Sequence, residues 1–155
     1  MTQSGTNKAG VIIFIVWRHQ FHMILRDNKP EIMSPNLWSP VTGGRDENEN
    51  LQEAAERELT EEIGIVPKAF AMLGISMKGN GFFFCRLTDE ERKAVVLGEG
   101  QRYKFFSFEK LPRRKMAGAM KIYLEKYPEV FKRMAETELP PYGSELGLAV
   151  WNGRH

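Results

Sequence analysis

The sequence has one cysteine, little net charge and no long apolar segment. Cys85 has no internal disulfide partner, which predicts a reducing compartment, by default the cytoplasm. Its place in the apolar run FFFCRL favours a buried thiol over a nucleophile. A net charge of +2 gives no indication that nucleic acid is a required partner. No apolar run approaches the roughly 20 residues of a membrane span, and the polar start MTQSGTNK is unlike a signal peptide.

The length and the apolar pattern predict one domain with a core of its own. The continuous apolar run at residues 9–17 predicts a central strand, because strands buried on both faces have this composition. Further strands are predicted at residues 21–26, 68–77, 81–87 and 102–108. Two helices interrupt the strands, so we expect a mixed sheet with helices on its faces, an α/β or α+β sandwich.

The predicted domain occupies residues 9–137. We expect residues 1–8 to be a loose N-terminus. A stripe of methionine and aromatic residues at 116–127 predicts a core-packed helix that Pro128 ends or restarts. The segment 138–155 is rich in proline and glycine and has no periodicity that assigns a structure.

The other helix, at residues 50–63, begins and ends with recognisable signals. Asn50 with Glu53 three residues later is typical of a capping box, and Gly64 is a typical residue just past a helix end. Apolar residues recur at helical spacing and define one buried stripe: Leu51, Ala54, Ala55, Leu59 and Ile63.

Three carboxylates lie where this helix should be buried. Glu58 and Glu62 fall inside the apolar stripe, Glu61 falls at its edge, and Arg57 points elsewhere on the helical wheel. Neighbouring carboxylates repel one another and resist leaving water. A solvated acidic face with lysine partners is the alternative, but no lysine lies three or four positions away. A divalent cation such as Mg²⁺ or Mn²⁺ is therefore predicted.

The segment from Gly43 to Ile65 has a fixed spacing. Five residues separate Gly43 from Glu49, and seven more lead to the run RELTEEIGI. This resembles the Nudix box at every defining position of its 23-residue signature. The resemblance extends more loosely over residues 9–113.

The resemblance implies an α/β/α sandwich around a central mixed sheet, and a hydrolase acting on acid anhydrides in phosphorus-containing compounds. The substrate would be a nucleoside diphosphate-linked compound, and a homodimer is compatible with the family. Arg57 would act in catalysis by pairing with Glu49 to orient the box. The proton acceptor would be Glu58 or Glu99, the latter in the later loop GEGQ. The implied magnesium ligands are Glu58, Glu61, Glu62 and the carbonyl of Gly43.

Two residues outside the box are candidates for substrate contact. Trp38 could stack on a base or pack in the core. Arg26 could meet a phosphate or be an ordinary surface residue. The stretch WSPVTG resembles the dihydroneopterin-triphosphate and dATP pyrophosphatase branch, which favours a (deoxy)nucleoside triphosphate as substrate. The basic run at 113–115 could attract anions, or it could be the solvated start of a helix.

Two other functions compete with the hydrolase. A non-catalytic Nudix-fold module that binds or senses a nucleotide is the main alternative, but the retained box carboxylates disfavour it. Isopentenyl-diphosphate isomerase would need a catalytic cysteine in a Cys-Ser-His-Pro setting, and Cys85 has different neighbours. His19 and His22 flank a turn with no accompanying ligand cluster, which favours structural or exposed positions.

Overall fold

A mixed β-sheet is the centre of the computed structural model, which describes residues 9–149. The strands of this part of the chain are Gly10–Trp17 (β1), Gln20–Leu25 (β2), Trp38–Ser39 (β3), Val41–Gly44 (β4), Ala69–Ile75 (β5), Gly81–Arg86 (β6) and Arg102–Ser107 (β7). The helices are Leu51–Ile63 (α1), Asp89–Ala94 (α2), Gly118–Lys126 (α3) and Pro128–Thr137 (α4).

The strand order β3-β2-β1-β6-β5 places β1 in the middle of the sheet, as its continuous apolar sequence predicts. β4 also pairs with β1, and β7 pairs with β2. The β1–β6 pair is parallel, with Val11 opposite Gly81, whereas the other pairs are antiparallel. The predicted mixed sheet is confirmed.

Side chains alternate along β1 between two cores, because successive residues of a strand point to opposite faces. Val11, Ile13 and Ile15 pack with the apolar stripe of α1. The alternate residues of β1 pack with α3 and α4, where Phe14 meets Phe131 edge-on with ring centroids 5.1 Å apart. This arrangement of helix, sheet and helix is the predicted α/β/α sandwich.

Helix α1 begins and ends as its sequence predicts. The Asn50 side chain accepts from the backbone N–H of Glu53, and the Glu53 carboxylate accepts from the N–H of Asn50. Gly64 ends the helix at φ 84°, a left-handed conformation that favours glycine. Its N–H donates to the carbonyls of Leu59 and Thr60, so the position of the box helix is determined by local signals.

The later part of the chain is more ordered than its composition indicates. Pro128 restarts the chain as α4, one of the two outcomes predicted for it. Residues 143–146 form a 3₁₀ turn, Leu146 and Leu148 are buried in the core, and Ala149 pairs with Ile75 of β5. The predicted loose N-terminus, residues 1–8, and the last part of the segment 138–155 lie outside the described residues. None of the helices in residues 9–149 has the length and apolar character needed to cross a membrane.

Candidate active site

The three carboxylates of α1 are buried to different degrees. Glu58 is buried, Glu62 is half-buried and Glu61 is exposed. This order matches the predicted position of each residue relative to the apolar stripe. The three carboxylates therefore form one acidic layer on α1, which extends from the buried Glu58 to the exposed Glu61.

Gly43 of β4 provides the space that Glu58 occupies. A Cβ atom on Gly43 would lie 2.0 Å from both Cδ and Oε2 of Glu58, far inside van der Waals contact. The carbonyl oxygen of Gly43 lies against Gly10, where a Cβ would be 2.6 Å away. No such restriction applies to Gly44, where an added Cβ would meet nothing within 4 Å. A side chain at the first glycine of the pair would displace the Glu58 carboxylate, whereas one at the second would displace nothing.

Arg57 links the loop before α1 to the helix. Its Nε donates to Oε2 of Glu49 at 2.7 Å and its Nη2 to Oε1 at 3.1 Å. Nη2 also donates to the carbonyl of Gly44 at 2.8 Å. These bonds raise the pKa of Arg57 and lower that of Glu49, so both groups stay charged. A two-bond fork of this kind fixes orientation as well as distance.

Arg57 also contacts the acidic layer, which the sequence analysis did not predict. Its Nη1 lies 3.1 Å from Oε2 of Glu58 and 3.3 Å from Oε1 of Glu61. The helical wheel pointed Arg57 away from these residues, and this prediction is wrong. Glu61 lies four positions after Arg57, a spacing that makes two side chains neighbours on a helix, and the long arginine side chain also reaches the adjacent Glu58.

Two carboxylates of the cluster, those of Glu58 and Glu62, have raised pKa values. The pKa of Glu62 rises to about 7, mainly because of burial, with further contributions from Glu99, Glu58 and Glu61. Burial likewise raises the pKa of Glu58, although the neighbouring Arg57 opposes the shift. The raised pKa values of Glu58 and Glu62 reflect burial first and repulsion between neighbouring carboxylates second.

Glu99 is brought to this cluster by a loop bonded to the end of α1. The N–H of Gly98 donates to the carbonyl of Glu62, and that of Val96 to the carbonyl of Ile63, both at 3.0 Å. A Cβ on Gly98 would lie 1.8 Å from the carbonyl oxygen of Glu61, so this close approach requires glycine. The exposed Glu99 therefore lies beside Glu62, although 37 positions separate them in the sequence.

A cleft of about 100 Å³ opens beside the cluster. Glu62 and Glu99 line it on one side, and Arg26, Asp27 and Thr42 contribute further polar groups. The Nε of Arg26 donates to the carbonyl of Met33 at 2.8 Å. The positive charge of Arg26 lowers the pKa of Glu62, opposing the larger effect of burial. The cleft thus combines an acidic wall with one cation.

Comparison with known proteins agrees with this geometry. A family model described as the NUDIX domain matches residues 6–127. The chain belongs to the Nudix family. An RNA pyrophosphohydrolase from Pasteurella multocida strain Pm70 is 29% identical over 99 residues, which are 60% of this chain and 50% of that protein. The chain therefore spans about half the length of the curated relative it matches.

Two solved structures share the Nudix fold seen here. DR0079 from Deinococcus radiodurans superposes with a TM-score of 0.65 at 16% identity, covering 77% of this chain and 82% of that one. A MutT NUDIX hydrolase from Burkholderia pseudomallei gives a TM-score of 0.62 at 22% identity, covering 76% and 95%. At these identities the two similarities establish the fold alone.

Trp38 lies apart from the Nudix box cleft. Its side chain is buried and meets Phe106 edge-on at 4.9 Å, in the core that α3 and α4 share. The next residue, Ser39, lines the cleft instead, because alternate residues of β3 point to opposite sides of the sheet. Of the two alternatives that the sequence left open for Trp38, stacking on a base or packing in the core, the structure shows packing in the core.

Several cleft residues were not found from the sequence. Asp27 and Thr42 line the cleft, and Gln101 holds its edge by donating to the carbonyl of Arg26 and to Oδ1 of Asn36, both at 2.9 Å. Asp27 and Asn36 are the ends of a loop rich in proline and asparagine, and no spacing rule connects them to Gln101. The signal that could have found them is their position next to predicted strand ends.

Nudix proteins generally use divalent metal ions, and the donor chemistry here suits one. Within residues 9–149, no group of three or more His, Cys, Asp or Glu side chains is already arranged to hold a metal ion. Arg57 instead lies against Glu58 and Glu61. The oxygens are nevertheless hard ligands, and a cation would offset the carboxylate repulsion that adds to the effect of burial on the pKa of Glu62. The residues therefore fit a divalent ion, with movement of Arg57 or of the carboxylates.

Proposed function

We propose that this Nudix protein is a magnesium-dependent hydrolase of a phosphoanhydride bond in a nucleoside diphosphate-linked compound, including (deoxy)nucleoside triphosphates. The observation that supports this most directly is the crowding of Glu58, Glu61 and Glu62 beside a cleft that contains Arg26. A divalent cation would offset the negative charge of this site and could then accept the phosphate oxygens of a diphosphate.

The ion is assigned to the Nudix box. Glu58, Glu61, Glu62 and the Gly43 carbonyl are the proposed ligands, and Mn²⁺ could replace Mg²⁺. When bound, the ion would neutralise phosphate oxygens and make a water molecule more acidic.

The remaining residues orient and complete the site. Arg57 and Glu49 hold the loop against the helix through their two-bond fork. Arg26 is proposed to bind a phosphate of the substrate at the cleft wall.

Glu99 is the better placed of the two proposed proton acceptors. It lines the cleft and is exposed, so its carboxylate can reach a water molecule there. Glu58 is buried against Gly43 and Arg57, which leaves its carboxylate less access to the cleft. We therefore assign Glu99 to proton transfer and Glu58 to the metal.

A hydrolysis panel tests this proposal. The purified protein is incubated with Mg²⁺ and nucleoside triphosphates, nucleotide sugars, ADP-ribose, dinucleoside polyphosphates and a 5′-triphosphorylated oligoribonucleotide, the last because of the name of the Pasteurella relative. Release of phosphate or pyrophosphate is measured. We expect turnover of at least one compound, and loss of that turnover when a chelator is added.

A pair of variants on α1 separates the loss of a proposed metal ligand from the loss of a carboxylate elsewhere on the same helix. Glu62→Gln should lower kcat/KM by at least about 100-fold, since it removes a proposed ligand. Glu56→Gln makes the same carboxylate-to-amide change on the same helix but outside the cluster, where the Glu56 carboxylate accepts from Nε2 of Gln52 at 3.4 Å, and it should be nearly neutral. Full activity of Glu62→Gln would contradict the metal assignment. Binding of a panel compound with no turnover would favour the non-catalytic module.

A further inference from the structure

The loop that carries Glu99 is closed by a contact between its two ends. Residues 93–102 separate Arg92 of α2 from Tyr103 of β7. The Nη1 of Arg92 donates to the hydroxyl of Tyr103 at 3.3 Å, and the Arg92 guanidinium lies 5.5 Å from the centre of the same ring. We call this contact the clasp. It joins the helix before the loop to the strand after it.

Arg92 is held by aromatic rings and not by a carboxylate. Its guanidinium lies 4.7 Å from the ring centre of Phe105 and 5.2 Å from that of Trp17, and its Nε is buried without a hydrogen-bond partner. Among the residues that the structure describes, no carboxylate lies within salt-bridge distance of Arg92. An apolar side chain of similar length would fill the same space without taking a charge out of water. What the guanidinium adds is attraction to the rings and the hydrogen bond to Tyr103.

Glu99 lies between two glycines that each pack directly on another element. Gly98 lies against the end of α1, as described above. On the other side, a Cβ on Gly100 would lie 2.8 Å from the carbonyl oxygen of Leu25 in β2, and the N–H of Gln101 donates to the same oxygen at 2.8 Å. The position of the Glu99 carboxylate therefore depends on how the loop is held between α1 and β2.

We propose that Arg92 is a positioning residue of the hydrolase, because its clasp on Tyr103 holds the loop so that Glu99 stays beside Glu62 and can accept the proton of a water molecule. This rests on the proposed function, which assigns Glu99 to proton transfer. Arg92 is not among the residues that line the cleft, so it acts through the loop. Opening the clasp would let the loop shift, and a misplacement of about 1 Å can lower activity by about 100-fold.

Amide hydrogen exchange tests the clasp without a substrate. Arg92→Met keeps an apolar side chain among the rings and removes the guanidinium, and Tyr103→Phe keeps the ring and removes the hydroxyl. Both variants should exchange the N–H groups of residues 96–101 several-fold faster than the parent protein and leave β1 unchanged, because one local contact is lost. The control Lys93→Met removes the adjacent, exposed charge of the same helix and should exchange like the parent.

Kinetics test whether Arg92 acts through Glu99. With the best panel substrate, Arg92→Met should lower kcat by about 10-fold or more. It should change KM by less than about twofold, because the proposed metal ligands and Arg26 are untouched. In the Glu99→Gln protein, adding Arg92→Met should have little further effect, since a residue that acts through a carboxylate contributes nothing once that carboxylate is gone. Lys93→Met should retain the kcat of the parent.

Several results would overturn the proposal. Unchanged exchange at residues 96–101 in both clasp variants would do so, as would faster exchange of the whole sheet, which indicates a general loss of stability. An equal loss of kcat in Lys93→Met, or an undiminished effect of Arg92→Met in the Glu99→Gln protein, would also contradict it. If Glu99→Gln keeps the parent's kcat or no panel compound is turned over, the assignment of Glu99 to proton transfer fails, and the exchange rates still decide whether the clasp holds the loop.

Discussion

Replacing Gly43 with alanine should disable the site while leaving the fold largely intact. The new Cβ would lie 2.0 Å from the Glu58 carboxylate. Non-bonded carbon atoms prefer a separation of about 3.5 Å or more, so the carboxylate must move by roughly 1.5 Å. A misplacement of about 1 Å can lower activity by about 100-fold. We therefore expect Gly43→Ala to reduce kcat/KM by about that factor.

The effect of Gly43→Ala on stability should be small for two reasons. The atoms that the Cβ meets are the end of a flexible side chain, which can rotate. The backbone of Gly43 is not in the left-handed region, so alanine adopts it without strain and gains about 0.5–1 kcal/mol in a strand. Against an overpacking cost of about 1–3 kcal/mol, the net loss should be about 2.5 kcal/mol or less.

The neighbouring glycine provides the control. Gly44→Ala adds the same methyl group to the same strand where nothing lies within 4 Å, so kcat/KM should stay near that of the parent. Both variants are assayed with the best panel substrate and by thermal unfolding. Adding Glu58→Asp to Gly43→Ala shortens the carboxylate and should recover the thermal midpoint without recovering activity. Parent-like activity in Gly43→Ala would refute the idea that the position of Glu58 matters for function.

Two further predictions concern charge. Arg57→Lys keeps the positive charge but cannot form the two-bond fork with Glu49, so kcat/KM should fall by about 10–100-fold; an unchanged kcat/KM at saturating Mg²⁺ would show that orientation by Arg57 is unimportant. His22 is buried among aromatic rings, and its ring nitrogens have no hydrogen-bond partner among the described residues, so burial lowers its pKa to about 3. The unfolded chain binds a proton at His22 near pH 6.5 and the folded chain does not, so the stability of the folded state falls as pH drops from about 6.5 towards 3. The free energy of unfolding of His22→Phe should therefore rise relative to that of the parent by up to about 1.4 kcal/mol for each pH unit below 6.5. Denaturant unfolding at pH 7 and at pH 4.5 measures this difference, and a difference that is the same at both pH values would show that His22 is protonated in the folded protein.

Features encoded by residues close together in the chain could be predicted from the sequence. The capping box at Asn50, the left-handed end at Gly64 and the burial order of the three glutamates all follow from spacing within one helix. The central position of β1 follows from its uninterrupted apolar run. The spacing of the Nudix box also identified the family, because the residues that define the box lie close together in the sequence, most of them on one helix.

Contacts made by long side chains and by distant segments could not be predicted in the same way. The contact of Arg57 with Glu58 depends on how a flexible side chain folds back over its helix. The burial of Leu146 and Leu148 depends on a sheet edge formed by residues some 70 positions earlier. Periodicity describes which face a residue occupies and contains no information about what covers that face.

The sequence by itself determined the acidic helix, its ends and the membership of the Nudix family, because neighbours within a few turns interact whatever the rest of the chain does. Only the tertiary structure decided that Glu99 lies beside Glu62, and that Trp38 faces the core while Ser39 faces the cleft. These relations depend on strand order and on loops bonded across long separations, and such contacts form only once the sheet has assembled.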